Sequence, residues 1–223
     1  MGEHDSMVAN TTTSPSVSES GQRRSIQTRD RLIEAAIEMF ATRGFKASTT
    51  REIVRAAGVA LASVPYHFKT KEQLWKASVD RIYAGFNERL IERRRMSPGL
   101  DPRSQSRNQL REFLLFTVER PEFIRLLLHE GTADTPRLRW FVETHLRPQF
   151  EYVEAEIRGA QQSGYGRVGR PDQIFFMIIG SIGLLYAVGP AFEQISNRSA
   201  TDEELVASHI ESVLELFYPS AED

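Results

Sequence analysis

The chain has 223 residues, 40% hydrophobic and 26% charged, which excludes a wholly disordered chain and a collagen-like or low-complexity protein. It has no cysteine, so disulfides, thiolate metal sites and cysteine nucleophiles are excluded, and a reducing cytoplasm fits. The net charge of −2 is uneven: residues 22–76 have 11 Lys/Arg against 5 Asp/Glu, whereas the rest has 17 against 25. A basic N-terminal part on an acidic body favours a polyanionic partner for that part alone, with chance clustering as the alternative.

The first 21 residues are rich in Ser and Thr and have almost no large apolar side chain, which predicts a flexible tail. They contain no apolar signal-peptide core. Helical spacing begins after them, in the apolar residues Leu32, Ile33, Ala36, Ile37 and Phe40. Arg43 and Gly44 are typical of a helix end, with a cation in the last turn and glycine just beyond it.

A second and a third helix are predicted close together. The sequence Thr49-Thr50-Arg51-Glu52 is a capping box, in which Thr49 caps a helix and Glu52 reaches back to it. That short helix stops at Gly58, and residues 61–68 form the next helical segment. Two short helices joined by a glycine-containing turn are typical of a helix-turn-helix, whose second helix can enter a major groove. A simple three-helix packing module with a basic face is the alternative.

The remaining elements are also predicted to be helices. A long amphipathic helix follows from about Trp75, and residues 96–102 form the best linker of the chain. Further helices follow, and Pro148 is expected to kink or split one of them. Another starts at Pro171, and Thr201 is expected to cap the last one through a second capping box. No stretch alternates with a period of two for long, so the predicted fold class is all-α with essentially no strand.

Two patterns match functional motifs, but we predict a structural role for each of them. Residues 164–169 formally match GxGxxG, but a helix rather than a strand precedes them, so a helix end and turn are predicted. Residues 174–192 are almost wholly apolar and reach the length of a membrane span. Small residues and Pro190 interrupt this run, which favours burial in an oligomer over a membrane anchor.

No catalytic constellation emerges from the sequence. The five histidines are scattered, and there is no HExxH, GxSxG or phosphate-binding loop. We therefore expect neither enzymatic activity nor a cofactor or metal. An enzyme with an appended DNA-binding module is the alternative from a different class of protein.

Residues 49–60, TTREIVRAAGVA, followed by LASVPYHFKTKEQL, resemble the DNA-binding domain of the tetracycline-repressor (TetR) family of bacterial transcriptional regulators. The resemblance covers about 50 residues and implies a tail (1–21), a helix-turn-helix DNA-binding domain (22–76) and a helical ligand-binding and dimerisation domain (77–223). The DNA-binding residues that it implies are Thr49, Thr50, Arg51, Leu61, Ala62, Ser63, Tyr66, His67, Lys69 and Lys71. Among these, Lys71 resembles the family's phosphate-binding lysine.

Pro65 departs from the family pattern. A proline inside a helix removes a backbone hydrogen bond and disfavours helical geometry at the preceding residue, Val64. The recognition helix is therefore expected to end early or to be distorted after Val64. The recognition surface also lacks Arg, Asn and Gln, which read bases bidentately, so apolar contacts and Arg51 must supply the specificity.

The resemblance implies a homodimeric repressor that a small, largely apolar or aromatic effector releases from double-stranded operator DNA, with no membrane partner. A constitutive or architectural DNA-binding dimer without an inducer is the alternative. The expected effector contacts are Phe113, Phe116, Phe123, Leu127, His129, Trp140, Phe141, His145, Phe176 and Tyr186. The expected dimer interface consists of Ile178, Ile182, Leu185, Val213 and Phe217.

Overall fold

The computed structural model describes residues 17–220, and all regular structure in that range is helical, which confirms the predicted all-α class. A π-helical segment, Val142–Leu146, joins the seventh helix to the eighth. The helices are α1 (Val17–Ala47), α2 (Thr50–Ala57), α3 (Ser63–Phe68), α4 (Lys71–Met96), α5 (Pro102–Glu119), α6 (Glu122–Glu130), α7 (Pro136–Phe141), α8 (Arg147–Gln162), α9 (Pro171–Ala187), α10 (Gly189–Ser196) and α11 (Glu203–Phe217).

The first helix begins earlier than the sequence predicts. Residues 1–16 of the expected tail lie outside the described residues, but residues 17–21 already belong to α1. An α-helix that is already nucleated needs only moderate propensity to extend, so it can continue into this segment. The predicted end at Gly44 is confirmed, since its φ of 74° breaks the helix before a final turn to Ala47.

One apolar core joins α1, α4 and α6. It contains Phe40 of α1, Trp75 and Tyr83 of α4, and Phe123 of α6, all at most 4% exposed. Burial of such a side chain contributes about 1.5–3 kcal/mol, so this contact fixes the N-terminal helices on the rest of the chain. The predicted domain boundary at residue 76 falls inside α4, which is continuous through it. The domain bounds therefore stay a prediction.

A second apolar core lies among α5, α8, α9 and α11, with Ile178, Ile182, Val213 and Phe217 at its centre. The side chain of Arg125 on α6 donates to the carbonyl of Ala187 at 2.9 Å and so caps the end of α9.

Local signals at the ends of these helices were correct with one exception. Gly164 has φ 76° in a turn directly after α8, as the helix-end reading of the GxGxxG pattern predicts. The last helix is capped by Asp202, whose carboxylate accepts from the Leu205 amide at 2.9 Å, and not by Thr201 as predicted. The two candidate caps are adjacent, and the helix starts one residue later than the pattern suggested.

Pro148 is accommodated by a π-helical turn. The proline is the second residue of α8, and the π segment directly precedes it. Proline has no amide proton, so it cannot bond to the carbonyl four residues before it. The π turn shifts the hydrogen-bond pattern by one residue, which accommodates the missing donor. The predicted disturbance lies at the predicted place, between α7 and α8.

The apolar run of residues 174–192 is divided between α9 and α10. No single helix in residues 17–220 is both long and apolar enough to cross a membrane. The pair α9 and α10 reaches that length and composition only together, and the two helices are bent by 73°.

Candidate functional site

The second helix is fixed at both ends by its own sequence. The Thr49 hydroxyl accepts from the Glu52 amide at 3.3 Å, and the Glu52 carboxylate accepts from the Thr49 amide at 3.2 Å, which confirms the predicted capping box. The bonds from Thr49, with a further contribution from Arg43, lower the pKa of the Glu52 carboxyl. Gly58 closes the helix with φ 62°. The amino end of α2, with Thr50 and Arg51, is thereby held in one orientation.

The third helix starts later than predicted, and this changes the role of Pro65. Leu61 and Ala62 lie in the turn before α3, where the amides of Ser63 and Val64 bond three residues back. Pro65 is the third helical residue, in the first turn, where a backbone amide has no partner within the helix. The helix is regular to Phe68, so the expected early end after Val64 was wrong.

The turn and α3 present a mixed surface to solvent. Leu61 is 48% exposed and Tyr66 is 77% exposed, whereas Val64 and Phe68 are buried and hold the helix on the core. Ser63 and His67 are half-buried beside them. Burial, followed by the charge of Arg29, lowers the pKa of His67, which favours the neutral imidazole.

Four cations around these helices are uncommitted. The side chains of Lys46, Arg51, Arg55 and Lys69 have neither an ion-pair nor a hydrogen-bond partner within residues 17–220. Lys69 has φ 62° and ψ −52°, a tight turn closed by the Thr70 amide on the Phe68 carbonyl at 2.6 Å. Such a turn is strained for a residue other than glycine. This turn places the exposed Lys69 between α3 and α4.

Lys71 is committed to the protein itself. Its ammonium donates to the carbonyls of Phe45 and Ser48, both at 2.8 Å, and lies 4.2 Å from the centre of the Phe45 ring. Burial, and then the charge of Arg137, lowers its pKa. Lys71 therefore ties the end of α1 to the start of α4, which leaves at most one ammonium proton for the predicted phosphate contact.

A cavity of about 310 Å³ lies between α4, α5, α6, the π segment, α8 and α9. Its volume is at the lower end of the range for small-molecule sites. Four of the predicted effector contacts line it: Phe113, Phe123, Leu127 and His145.

The other six predicted contacts lie outside the cavity. Phe116 packs against Phe86, His129 lies against Gly44, and Trp140 and Phe141 pack edge-on against Trp75. Tyr186 bonds to His209, and Phe176 is 67% exposed. Aromatic character alone did not separate core, surface and cavity residues. The polar lining residues Gln149, Tyr152 and Glu156 of α8 were missed, although their spacing of three and four places them on one helix face.

The cavity wall contacts α4, the helix that directly follows the helix-turn-helix. His145 of the π segment lines the cavity, and its Nε2 lies 2.8 Å from Asp80 of α4. Just before the π segment, Trp140 packs edge-on against Trp75 with ring centres 5.6 Å apart. A change at the cavity therefore has a short, packed route to α4.

Four of the five predicted interface residues are buried within the chain. Ile178, Ile182, Val213 and Phe217 are at most 5% exposed, whereas Leu185 is half-buried at the edge of the same core and stays a prediction. The assignment of the four buried residues was wrong because the apolar run covers the whole circumference of α9, and the sequence does not show which face turns inward. The exposed apolar side chains of α9 and α11 are Phe176, Met177, Leu184 and Leu216.

Comparisons with known proteins match the N-terminal helices of this chain to a family. Residues 32–77 match the family model described as bacterial regulatory proteins, tetR family. The probable HTH-type transcriptional regulator YttP of Bacillus subtilis is 26% identical over 121 residues, 54% of this chain and 58% of that protein. An uncharacterized HTH-type transcriptional regulator of Xanthobacter autotrophicus is 31% identical over 140 residues, 63% of this chain and 64% of that protein. The chain thus spans about three fifths of the length of these relatives.

The fold has solved counterparts. The structure described as AibR in complex with isovaleryl coenzyme A and operator DNA has a TM-score of 0.69 at 19% identity, over 86% of this chain and 98% of AibR. The fold and the capped helix pair define an all-helical protein with an N-terminal helix-turn-helix. Residues 32–77 match the DNA-binding part of the tetR family of bacterial regulatory proteins.

Proposed function

We propose that this protein is a transcriptional repressor that binds operator DNA as a homodimer and is released by a small molecule held in the cavity. The observation that carries the proposal is the exposed, cation-flanked helix-turn-helix, joined through α4 to a cavity in the same chain. The descriptions of YttP as a transcriptional regulator and of AibR as bound to operator DNA support it.

The DNA contact combines phosphate binding with apolar reading of bases. Arg51 and Lys69 neutralise phosphates on either side of α3, and the amino end of α2 adds its amide groups. Leu61, Ala62 and Tyr66 face the groove, where apolar side chains contact thymine methyl groups. Thr49, Thr50, Ser63 and His67 supply short polar contacts at the edges of this surface. The proposal makes Lys71 a support of the surface, with at most one proton directed at DNA.

The dimer forms through the outward faces of α9 and α11. Phe176 and Met177 are adjacent on α9, Leu184 lies about two turns further along the same helix, and Leu216 is exposed on α11. Contiguous apolar side chains of this kind mark an interaction surface. Two copies joined here would place their α3 helices in successive major grooves when the spacing is about 34–36 Å.

The effector acts by shifting a population. A ligand in the cavity that favours a DNA-incompatible spacing releases operator in proportion to its differential affinity for the two states. A 100-fold release requires about 2.7 kcal/mol of that differential affinity. A ligand can act on α4 directly, because Phe86 lines the cavity, and through the π segment, where His145 contacts Asp80.

Selection of binding sites from random double-stranded DNA, followed by affinity measurement, tests the function. The expected result is a two-fold symmetric site whose two halves are about one helical turn apart. A matched pair of variants, Tyr66→Ala at the proposed groove surface and Tyr152→Ala at the cavity, should separate DNA binding from effector response. Sequence-independent binding of equal strength to all DNA would instead support the constitutive or architectural alternative.

A further inference from the structure

The cavity has an apolar body and one charged end. Phe86, Phe113 and Phe123 form an aromatic wall contributed by three helices, and their ring centres are 5.2–6.0 Å apart. At the α8 side, Tyr152, Glu156 and Tyr218 line the same space. None of the described lining residues is Lys or Arg, and Glu156 has the only carboxylate among them.

The Glu156 carboxylate is unpaired. In the part of the chain that the structure describes, it has no ion-pair or hydrogen-bond partner, although its side chain is half-buried. Glu154, which is half-buried on the same helix but does not line the cavity, shows the contrast, because it pairs with Arg158 at 2.7 Å. A carboxylate that is partly withdrawn from water and lacks a partner is unfavourable, and a ligand cation would remove that penalty.

The phenols beside Glu156 add to this environment. Burial raises the pKa of Tyr152 and of Tyr218, and the Glu156 charge raises both further. Both side chains are therefore neutral at physiological pH. The Arg94 guanidinium already lies over the Tyr152 ring at 5.5 Å, so Tyr218 is the phenol of this pair whose ring has no such partner among the described residues.

Three arginines around the cavity already have partners, and two of them, Arg94 and Arg107, bond to its lining tyrosines. Arg94 donates to the Tyr152 hydroxyl, Arg93 lies 3.4 Å from Glu112, and Arg107 pairs with Glu215 at 2.8 Å. An anionic ligand, such as a carboxylate or a coenzyme A thioester, would find no free cation in the wall and would be repelled by Glu156.

We propose that the effector is an organic cation, a protonated amine on an apolar or aromatic body, whose ammonium group binds at Glu156. This assignment rests on the proposed effector role of the cavity and names the ligand class for it. The aromatic wall of Phe86, Phe113 and Phe123 holds the body, and the carboxylate selects the head group. Among ligands with the same apolar body, the affinity is therefore expected to depend on the charge of the head group.

Calorimetric titration of the full chain without DNA tests this with three probes that differ only in the head group: phenylbutylamine, phenylbutanol and phenylbutyrate. The amine should bind about tenfold or more tightly than the carboxylate, as a charge-assisted hydrogen bond predicts. Glu156→Gln should abolish that preference and leave the affinity of the alcohol unchanged. Glu151→Gln, an exposed position of the same helix outside the cavity, is the matched control and should leave all three affinities unchanged.

An amine that binds no more tightly than the carboxylate, or does not bind, overturns the proposal, and so does a preference that survives in Glu156→Gln. Melting curves of both variants verify that they are folded. Because the titration contains no DNA, a chain that binds no operator would refute the proposed repressor function while leaving the head-group result intact.

Discussion

Replacement of Lys71 by alanine distinguishes a structural lysine from a phosphate-binding one. The substitution removes an ammonium that donates to two main-chain carbonyls, of Phe45 and Ser48, at 2.8 Å each, and that stacks on the Phe45 ring. Phe45 lies in the last turn of α1 and Ser48 directly follows the helix, so the loss leaves unpaired acceptors where the end of α1 meets α4.

The magnitude follows from these contacts. Hydrogen bonds to a charged group contribute about 1.5–3 kcal/mol, and a half-exposed cation–π contact adds about 0.5–1 kcal/mol. After allowance for water that replaces the lysine at this half-buried position, we expect a loss of about 2 kcal/mol. For a chain of this size that corresponds to a decrease of about 4–8 °C in Tm.

Thermal melts and the salt dependence of operator binding are the two measurements. Lys71→Ala should lower Tm and weaken binding through the loosened helix-turn-helix, with little change in the salt slope. Lys69→Ala is the control, because Lys69 is exposed and unpaired: it should keep Tm and reduce the slope by about one unit. An unchanged Tm in Lys71→Ala, together with a slope reduced by about one, would refute the reasoning and restore Lys71 as a phosphate contact.

Three further predictions concern other parts of the chain. Pro65→Ala should lower stability by about 0.4–1 kcal/mol, because the proline already fits the first turn of α3 and restricts the unfolded chain; a higher Tm would contradict this. Leu184→Glu should give folded monomers in ultracentrifugation, whereas Ile182→Glu, at a position that is 0% exposed, should unfold the chain; a dimeric Leu184→Glu would place the interface elsewhere. Burial lowers the pKa of His209 below its usual 6.5, so stability present above pH 6.5 is lost as the pH falls. His209→Gln should make the fall of Tm between about pH 7 and pH 5 shallower, and an unaltered slope would exclude His209 as its source.

The His209 prediction has a defined geometry behind it. Its Nε2 lies 3.0 Å from the Ser181 carbonyl and must donate to it, so Nδ1 accepts from the Tyr186 hydroxyl at 2.9 Å. Protonation of Nδ1 would leave that hydroxyl without its acceptor. The contact joins α9 to α11, the two helices of the proposed dimer face.

Signals that depend on neighbouring residues were readable from the sequence. The Thr49 capping box, the glycine at residue 44 and the break near Pro148 all follow from local backbone chemistry, and each has its counterpart in the structure. The register of α3 was harder, because the turn before it contains apolar residues that continue the helical pattern. Leu61 was therefore predicted to be helical, although it lies two residues before the start of α3.

Features that depend on contacts between distant residues could not be predicted from the sequence. In α9 nearly every side chain is apolar, so the pattern has no polar face to indicate which residues turn inward. Ile182 was consequently placed on the surface and Leu184 was overlooked. The cavity lies where five helices and the π segment fail to fill the space between them, a property of packing that no single segment encodes.

The π-helical segment decides where this part of the chain tolerates a change of length. A π turn contains one residue more than an α turn, so removal of one residue from Val142–Leu146 would restore a regular helix and leave α8 in nearly the same rotation relative to α7. Gln149, Tyr152 and Glu156 would then stay in the cavity wall. Removal of a residue from the regular first turn of α8 would instead rotate the rest of that helix by about 100°. Relatives that differ by one residue there are therefore expected to have cavities lined by another face of α8, and with it another ligand chemistry, on an unchanged fold.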